Sequence, residues 1–193
     1  MTQSTTPVLG VVLAGGRSSR MGRDKALLQW HGKSLLQHQL DTLRDAGVDA
    51  TRVSGLRPQH DGIPDLEPDR GPLAGLASIA AATDGDTDLL VVPVDMPLLS
   101  GALLRKLIGA DPGADACVRF AGHVLPLRLR LDARSRARLH QRMQMAEPRL
   151  RSLRALQDDL GLVELPLSTD EATQLADINT PAAWQGIQRP DCD

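Results

Sequence analysis

Leu89-Leu90-Val91-Val92-Pro93-Val94-Asp95-Met96-Pro97 is the stretch that decides the fold. Its apolar residues fill consecutive positions instead of alternating with polar ones. That pattern marks a strand covered on both faces, as in a parallel sheet flanked by helices. Upstream, Val8 to Leu13 is a second β-branched run, stopped at Gly15-Gly16. Between the two runs, Ser34 reads as an N-cap, Leu35, Leu36, Leu40 and Leu43 follow at helical spacing, and Gly47 stops the helix. A weaker strand is predicted over 50–53. Residues 57–70 are polar and Pro-rich, which suits a surface loop with one short strand around Ile63. Pro72 opens a second helix carried by Leu73, Leu76, Ile79 and Ala80.

Downstream of the central run, a helix is expected over 100–108. Residues 116–120 and 124–129 read as two strands whose short link, Ala121-Gly122-His123, makes them an antiparallel hairpin. Two helices follow, from Ala133 and from Pro148. The second places Leu150, Leu153, Leu156 and Leu160 on one face and closes at Gly161. A last strand is expected over 162–165, and Thr180-Pro181 opens a final helix through Trp184. Strands alternating with helices predict an α/β fold: three layers around a doubly wound, mostly parallel sheet with an antiparallel element. No internal repeat or linker divides the chain, so residues 1–193 are read as one domain.

Composition narrows the function. The chain carries 22 Lys+Arg against 24 Asp+Glu, a net charge of −2, without the positive excess of a nucleic-acid binder. It has no Tyr, one Phe and two Trp, so it lacks the aromatic platforms on which single-stranded bases stack. Cys117 and Cys192 lie far apart and belong to no Cys/His cluster, which argues against structural zinc or a disulfide framework. The polar start of the chain has no signal-peptide pattern, and no apolar stretch approaches the roughly 20 residues that span a bilayer. The expected location is the cytoplasm, with neither nucleic acid nor membrane as partner.

In a doubly wound sheet, ligands bind beyond the carboxyl ends of the strands. Two loops fall there. The first, residues 13–25, is rich in Gly and Ser and carries Arg17, Arg20, Arg23 and Lys25 against one acid, Asp24. Glycines let the backbone approach phosphate oxygens, and the cations offset their charge. It is not a Walker A loop, because Gly32-Lys33-Ser34 has Leu27 where the leading Gly belongs, nor is it a G-x-G-x-x-G turn. The competing reading is a solvated basic turn. The second loop sets Asp95 at the mouth of the central strand. That carboxylate is suited to Mg²⁺, which binds through one or two carboxylates plus substrate phosphates. It could equally cap the following turn.

Leu13-Ala14-Gly15-Gly16-x-Ser18-x-Arg20-Met21-Gly22-x-Asp24-Lys25 resembles the signature of the molybdenum cofactor guanylyltransferases, a branch of the nucleotide-diphospho-sugar transferase-like enzymes. Gly71-Pro72-Leu73-Ala74-Gly75, Asp95-Met96-Pro97 and Asp177-Ile178-Asn179-Thr180-Pro181 resemble its later motifs, in the family's order. The Gly-Gly pair and the Asp before Lys25 favour the guanylyl branch over the cytidylyl one. The resemblance implies transfer of GMP from GTP to the phosphate of molybdopterin, with release of pyrophosphate. Relatives using CTP with molybdopterin, or a nucleoside triphosphate with a sugar phosphate, share the first motif and are the enzymatic rivals. A non-catalytic nucleotide-binding module is the rival of another class.

Carried over residue by residue, the resemblance implies that Leu13, Ala14, Gly15 and Gly16 line the nucleotide site. Lys25 would bind the phosphates, and Asp95 would ligate Mg²⁺; by residue type, Arg20 joins Lys25 as a candidate for the triphosphate. Ser54, where the family more usually has Asn, would contact the base. An acid ahead of the Gly71 motif would join it: Asp65 fits the spacing best, with Asp69 as the alternative. Asp177, at a position often Asn, and Asn179 would face the pterin, and His123 lies in a segment resembling the acceptor side. GTP and molybdopterin are the implied substrates, with transient contacts to molybdenum-insertion proteins or molybdoenzyme chaperones.

Two features stand apart from these motifs. The Arg-rich stretch 128–154 is either an anion-steering surface or the solvated face of two helices. Trp30 and Trp184 read as packing residues under the sheet edges.

Overall fold

The computed structural model describes residues 6–15 and 24–188. Its strands are β1 (Val8–Leu13), β2 (Gln29–Trp30), β3 (Lys33–Ser34), β4 (Ala50–Ser54), β5 (Thr87–Pro93), β6 (Cys117–Phe120), β7 (Leu127–Leu131) and β8 (Leu162–Leu165). Its helices are α1 (Leu35–Ala46), α2 (Pro72–Ala81), α3 (Gly101–Gly109), α4 (Ala133–Met143), α5 (Leu153–Leu160), α6 (Thr169–Thr173) and α7 (Pro181–Gln188). Six strands form one sheet in the order β4-β1-β5-β7-β6-β8, and β7 alone runs antiparallel to its neighbours.

The consecutive apolar residues of β5 serve two cores. Leu89 and Val91 join Val11, Leu127 and Leu129 under α2, α4 and α5. Leu90 and Val92 join Val12, Val53, Val118 and Phe120 under α1 and α3. Because side chains alternate along a strand, an unbroken apolar run is what a strand with a helix layer on each face requires. The expected three-layer α/β fold is thus the observed one.

The chain's punctuation matches the helix ends. The Ser34 hydroxyl accepts from the Gln37 amide at the start of α1, and Gly47 ends that helix at φ 90°. Pro72 occupies the first turn of α2. The expected strand at Ile63 is a single parallel bridge to Ser54.

Three expectations are corrected. The second hairpin strand begins at Leu127, not Val124, since Pro126 has no amide hydrogen for the ladder. The helix expected from Pro148 begins at Leu153, where Ser152 caps it. Residues 147–151 form a turn closed on the Glu147 carbonyl, which leaves Leu150 outside the helical face. Trp30 and Trp184 do not pack under separate sheet edges. Their rings lie 5.8 Å apart in one small cluster with Leu35 and Ile178, so α7 docks on the β2–β3 hairpin. That hairpin is too short for a periodic signal, and it turns at His31 (φ 47°) and Gly32 (φ 77°).

The Arg-rich stretch resolves residue by residue. Arg128 donates to the carbonyls of Ile108 and Ala110 at 2.9 and 2.7 Å, satisfying the C-terminal end of α3. Arg136 does the same for α2 through Ala80, Thr83 and Gly85. Orphan carbonyls carry the negative end of the helix dipole, so a guanidinium serves them in both charge and geometry. Arg134, Arg138, Arg149 and Arg154 stay exposed.

Candidate active site

Three parallel strands end side by side. Leu13 pairs with Ser54 on one flank and with Pro93 on the other, so the loops after β1, β4 and β5 leave the sheet together. The Ala14 amide donates to the Ser54 carbonyl at 3.0 Å, and the Val94 amide to the Leu13 carbonyl at 3.3 Å. A cleft of about 360 Å³ opens above them. Leu13, Ala14, Gly15, Lys25, Ser54, Asp65, Asp69 and Asp95 line it, as do Gly71, Pro72 and Gly75 from the first turns of α2. A helix N-terminus at the wall adds amide dipoles favourable to an anion.

Lys25 and Asp95 meet in this cleft. The Lys25 ammonium donates to Asp95 Oδ2 at 2.9 Å and to Asn179 Oδ1 at 2.6 Å, although these residues are 70 and 154 positions away along the chain. Asp95 is held from behind by its loop. The Ile178 amide donates to the Asp95 carbonyl at 3.0 Å, and buried Gln39 donates to the Met96 carbonyl at 2.6 Å. Nε2 of His38 lies 2.8 Å from the Pro97 carbonyl. Two parts of the chain, α1 and the segment just before α7, therefore fix the backbone that presents the acid.

At the other end of the cleft, the Ser54 hydroxyl donates to Asp65 Oδ1 at 3.3 Å. Burial pushes the Asp65 carboxyl above the usual range, and the Ser54 hydrogen bond offsets part of that rise. The backbone leaves no room for side chains here. Gly55 sits at φ 111°, and a Cβ on it would lie 2.9 Å from Gly15 Cα. A Cβ on Gly75 would lie 2.2 Å from the Ser54 oxygen and push it off Asp65. Gly75→Ala is expected to lower unfolding free energy by about 1–3 kcal/mol, read by urea denaturation; an unchanged midpoint would show that Ser54 can swing away freely.

The expected site residues divide as follows. Leu13, Ala14, Gly15, Lys25, Ser54, Asp65, Asp69 and Asp95 share the cleft, and Asn179 reaches it through Lys25. Asp177 is exposed and is not among the lining residues. His123 also lies outside the lining; its amide closes a turn on the Phe120 carbonyl. Gly16 and Arg20 lie outside the described residues. Sequence reasoning missed Arg57 and Leu125, both in the lining. The one available signal for Arg57 was a cation three residues beyond the end of β4, inside a loop on the carboxyl side of the sheet. Cys117 has no part in the site: burial pushes its thiol up to about 12, so it is inert in the core.

The MobA-like NTP transferase domain profile matches residues 10–162. A molybdenum cofactor guanylyltransferase from Xanthomonas euvesicatoria pv. vesicatoria is 50% identical over 187 residues, covering 96% of this chain and 97% of that protein. A second, from Pseudomonas syringae pv. syringae, is 33% identical and covers 92% and 91%. Among solved structures, the molybdopterin-guanine dinucleotide biosynthesis protein A from Archaeoglobus fulgidus superposes with a TM-score of 0.70 at 17% identity, covering 92% of this chain and 95% of that one. A nucleotidyl transferase from Methanothermobacter thermautotroptrophicus superposes with a TM-score of 0.69 at 23% identity, covering 94% and 96%. Family profile, full-length similarity and shared fold agree: the chain belongs to the molybdenum cofactor guanylyltransferase family of MobA-like NTP transferases.

Proposed function

We propose that this protein transfers GMP from GTP to the phosphate of molybdopterin, releasing pyrophosphate and forming the guanine dinucleotide cofactor. The observation that carries this reading is the meeting of Lys25 and Asp95 in a cleft whose floor is the backbone of residues 13–15. In the reaction, an oxygen of the acceptor phosphate bonds to the α-phosphorus of GTP. The bond to the β-phosphate oxygen breaks, and its electron pair leaves with pyrophosphate. The attacking oxygen is already ionised at neutral pH, so the step needs no strong base. In keeping with that, no histidine lines the cleft among the described residues.

The protein's contribution is orientation and charge. Lys25 exchanges the Asp95 carboxylate for phosphate oxygens when the triphosphate enters. Asp65, held by Ser54, offers acceptors to the paired N–H donors on the guanine edge. Cytosine presents acceptors at the corresponding positions, which a carboxylate repels. Asn179 stands beside Lys25 on the side assigned to the acceptor.

The donor chemistry fits Mg²⁺. No three His, Cys, Asp or Glu side chains cluster as a self-sufficient metal site among the described residues. A single carboxylate beside a triphosphate is the ligand set this ion accepts. Asp95 would hold it, and when bound it supplies charge neutralisation on the triphosphate and on the departing pyrophosphate.

Among the described residues no helix is long and apolar enough to cross a membrane. We assign the reaction to the cytoplasm, with transient handover to molybdenum-insertion proteins or molybdoenzyme chaperones.

Thermal unfolding with Mg²⁺ and each of GTP, CTP, ATP and UTP tests the base. GTP at a hundred times its Kd is expected to add about 2.7 kcal/mol of stability, with little effect from the others. Preference for CTP would overturn the guanylyl reading. Pyrophosphate release on adding molybdopterin separates an enzyme from a binding module.

A further inference from the structure

Arg57 follows β4 by three residues and is largely buried in the cleft wall, its side chain 18% exposed. Its guanidinium grips two points far apart in sequence. Nη1 donates to Asp24 Oδ2, and Nη2 donates to Asp24 Oδ1 at 2.9 Å. Nη2 and Nε also donate to the Ala14 carbonyl, at 2.8 and 3.3 Å. Each anchor is itself tied to the site. Ala14 is the first residue past β1, and its amide is bonded to the Ser54 carbonyl. Asp24 Oδ1 accepts from the Ala26 amide at 3.1 Å and so caps the short 3-10 turn, Lys25–Leu27, that carries Lys25. Burial pushes the Asp24 carboxyl upward, but the Arg57 hydrogen bonds and charge outweigh this and hold it below the usual range.

One rigid fork therefore joins the point where the Gly-rich segment leaves the sheet to the point where it delivers Lys25. A bidentate, charge-assisted contact of this kind fixes geometry as well as adding energy. The same contact places a positive charge on Asp24, a carboxylate one residue from Lys25 in a cleft suited to anions.

We propose that Arg57 is a positioning residue for nucleotide binding: it ties Asp24 to the Ala14 carbonyl, and so sets where Lys25 stands. This rests on reading the cleft as the GTP site. Arg57 acts through these two protein anchors, not by touching the triphosphate.

Four variants test it: Arg57→Met, Arg57→Lys, Asp24→Asn and the double variant Arg57→Met/Asp24→Asn. GTP affinity by calorimetry, kcat and KM by pyrophosphate release, and amide exchange of Ala26 are measured on each. Arg57→Met is expected to raise the Kd and KM for GTP by about 10²-fold, the scale of a 1 Å misplacement, and to speed exchange at Ala26. Arg57→Lys is expected to recover only part of the loss, because an ammonium lacks the fork. The double variant should bind GTP no more weakly than Arg57→Met, since both changes break one contact.

Multiplying effects in the double variant would mean that Arg57 contacts the nucleotide itself and would overturn the proposal. So would parental affinity in Arg57→Met. If Arg57→Met fails to fold, full rescue by Arg57→Lys is the overturning result. A parent protein that binds no nucleoside triphosphate would instead overturn the cleft reading, and Arg57's nucleotide role with it; faster exchange at Ala26 in the variant would then show the anchoring of Asp24 alone.

Discussion

Lys25→Ala is expected to lower the rate of guanylyl transfer by about 10²–10³-fold, equivalent to about 2.7–4 kcal/mol of transition-state stabilisation. Lys25 is the cation the structure brings into the cleft against both Asp95 and Asn179, with its side chain only 13% exposed. Fixed in this way, it can stabilise charge on the triphosphate without reorganising at the moment of reaction. Asp95→Asn should lower the rate on a similar scale, but with a distinct signature. The amide keeps shape and loses charge, so the Mg²⁺ concentration giving half-maximal rate should rise, whereas Lys25→Ala should leave it nearly unchanged. Initial rates of pyrophosphate release across a Mg²⁺ titration separate the two. Because Lys25 and Asp95 both line the open cleft, where water can replace a lost partner, both variants should unfold close to the parent's midpoint. Parental rates with parental Mg²⁺ dependence in either variant would end the assignment of these residues.

Arg128→Leu is expected to cost about 3–5 kcal/mol of folding stability while sparing the chemistry of the molecules that remain folded. The Arg128 guanidinium donates to Asp88 Oδ2 at 2.5 and 3.1 Å and to the carbonyls of Ile108 and Ala110 beyond α3. Asp88 is 3% exposed, and its other oxygen, Oδ1, is buried without a hydrogen-bond partner in the structure. Removing Arg128 thus strands a carboxylate in the interior and leaves helix carbonyls unpaired. Urea denaturation measures the loss. Arg128→Leu/Asp88→Leu should regain part of it, because no uncompensated charge is then left inside. A loss below about 1 kcal/mol in the single variant would mean that water reaches Asp88 freely.

The two predictions draw on information of different range. Lys25 and Asp95 were legible in the linear chain. A glycine-rich turn after one buried strand and an acid after another place both at the carboxyl edge of a parallel sheet, and the family motifs agree. Arg128 was visible only as one arginine among many. Whether it steered anions or faced solvent depended on where α3 ends relative to β7, a relation between segments about twenty residues apart. The same holds for Asp65. Its spacing ahead of Gly71 made it a candidate beside Asp69, but its contact with Ser54 depends on α2 bringing Gly75 so close that only a hydrogen fits there.

What could be read along the chain is what repeats or stops within a few residues. The unbroken apolar run of β5 dictates a helix layer on both faces. Ser34, Gly47, Pro72 and Gly161 mark where helices begin and end, since caps satisfy backbone groups one turn away. The folded arrangement was needed for everything else joined across the sheet: β7 of the expected hairpin placed beside β5, Arg57 linking Ala14 to Asp24, Trp184 carried onto Trp30, and Asn179 brought to Lys25. Hydrophobic periodicity records burial and says which face of an element is covered, but not by what. A side-chain hydrogen bond needs its partner within about 3 Å, and no local pattern specifies which distant residue the packed layers will bring that near.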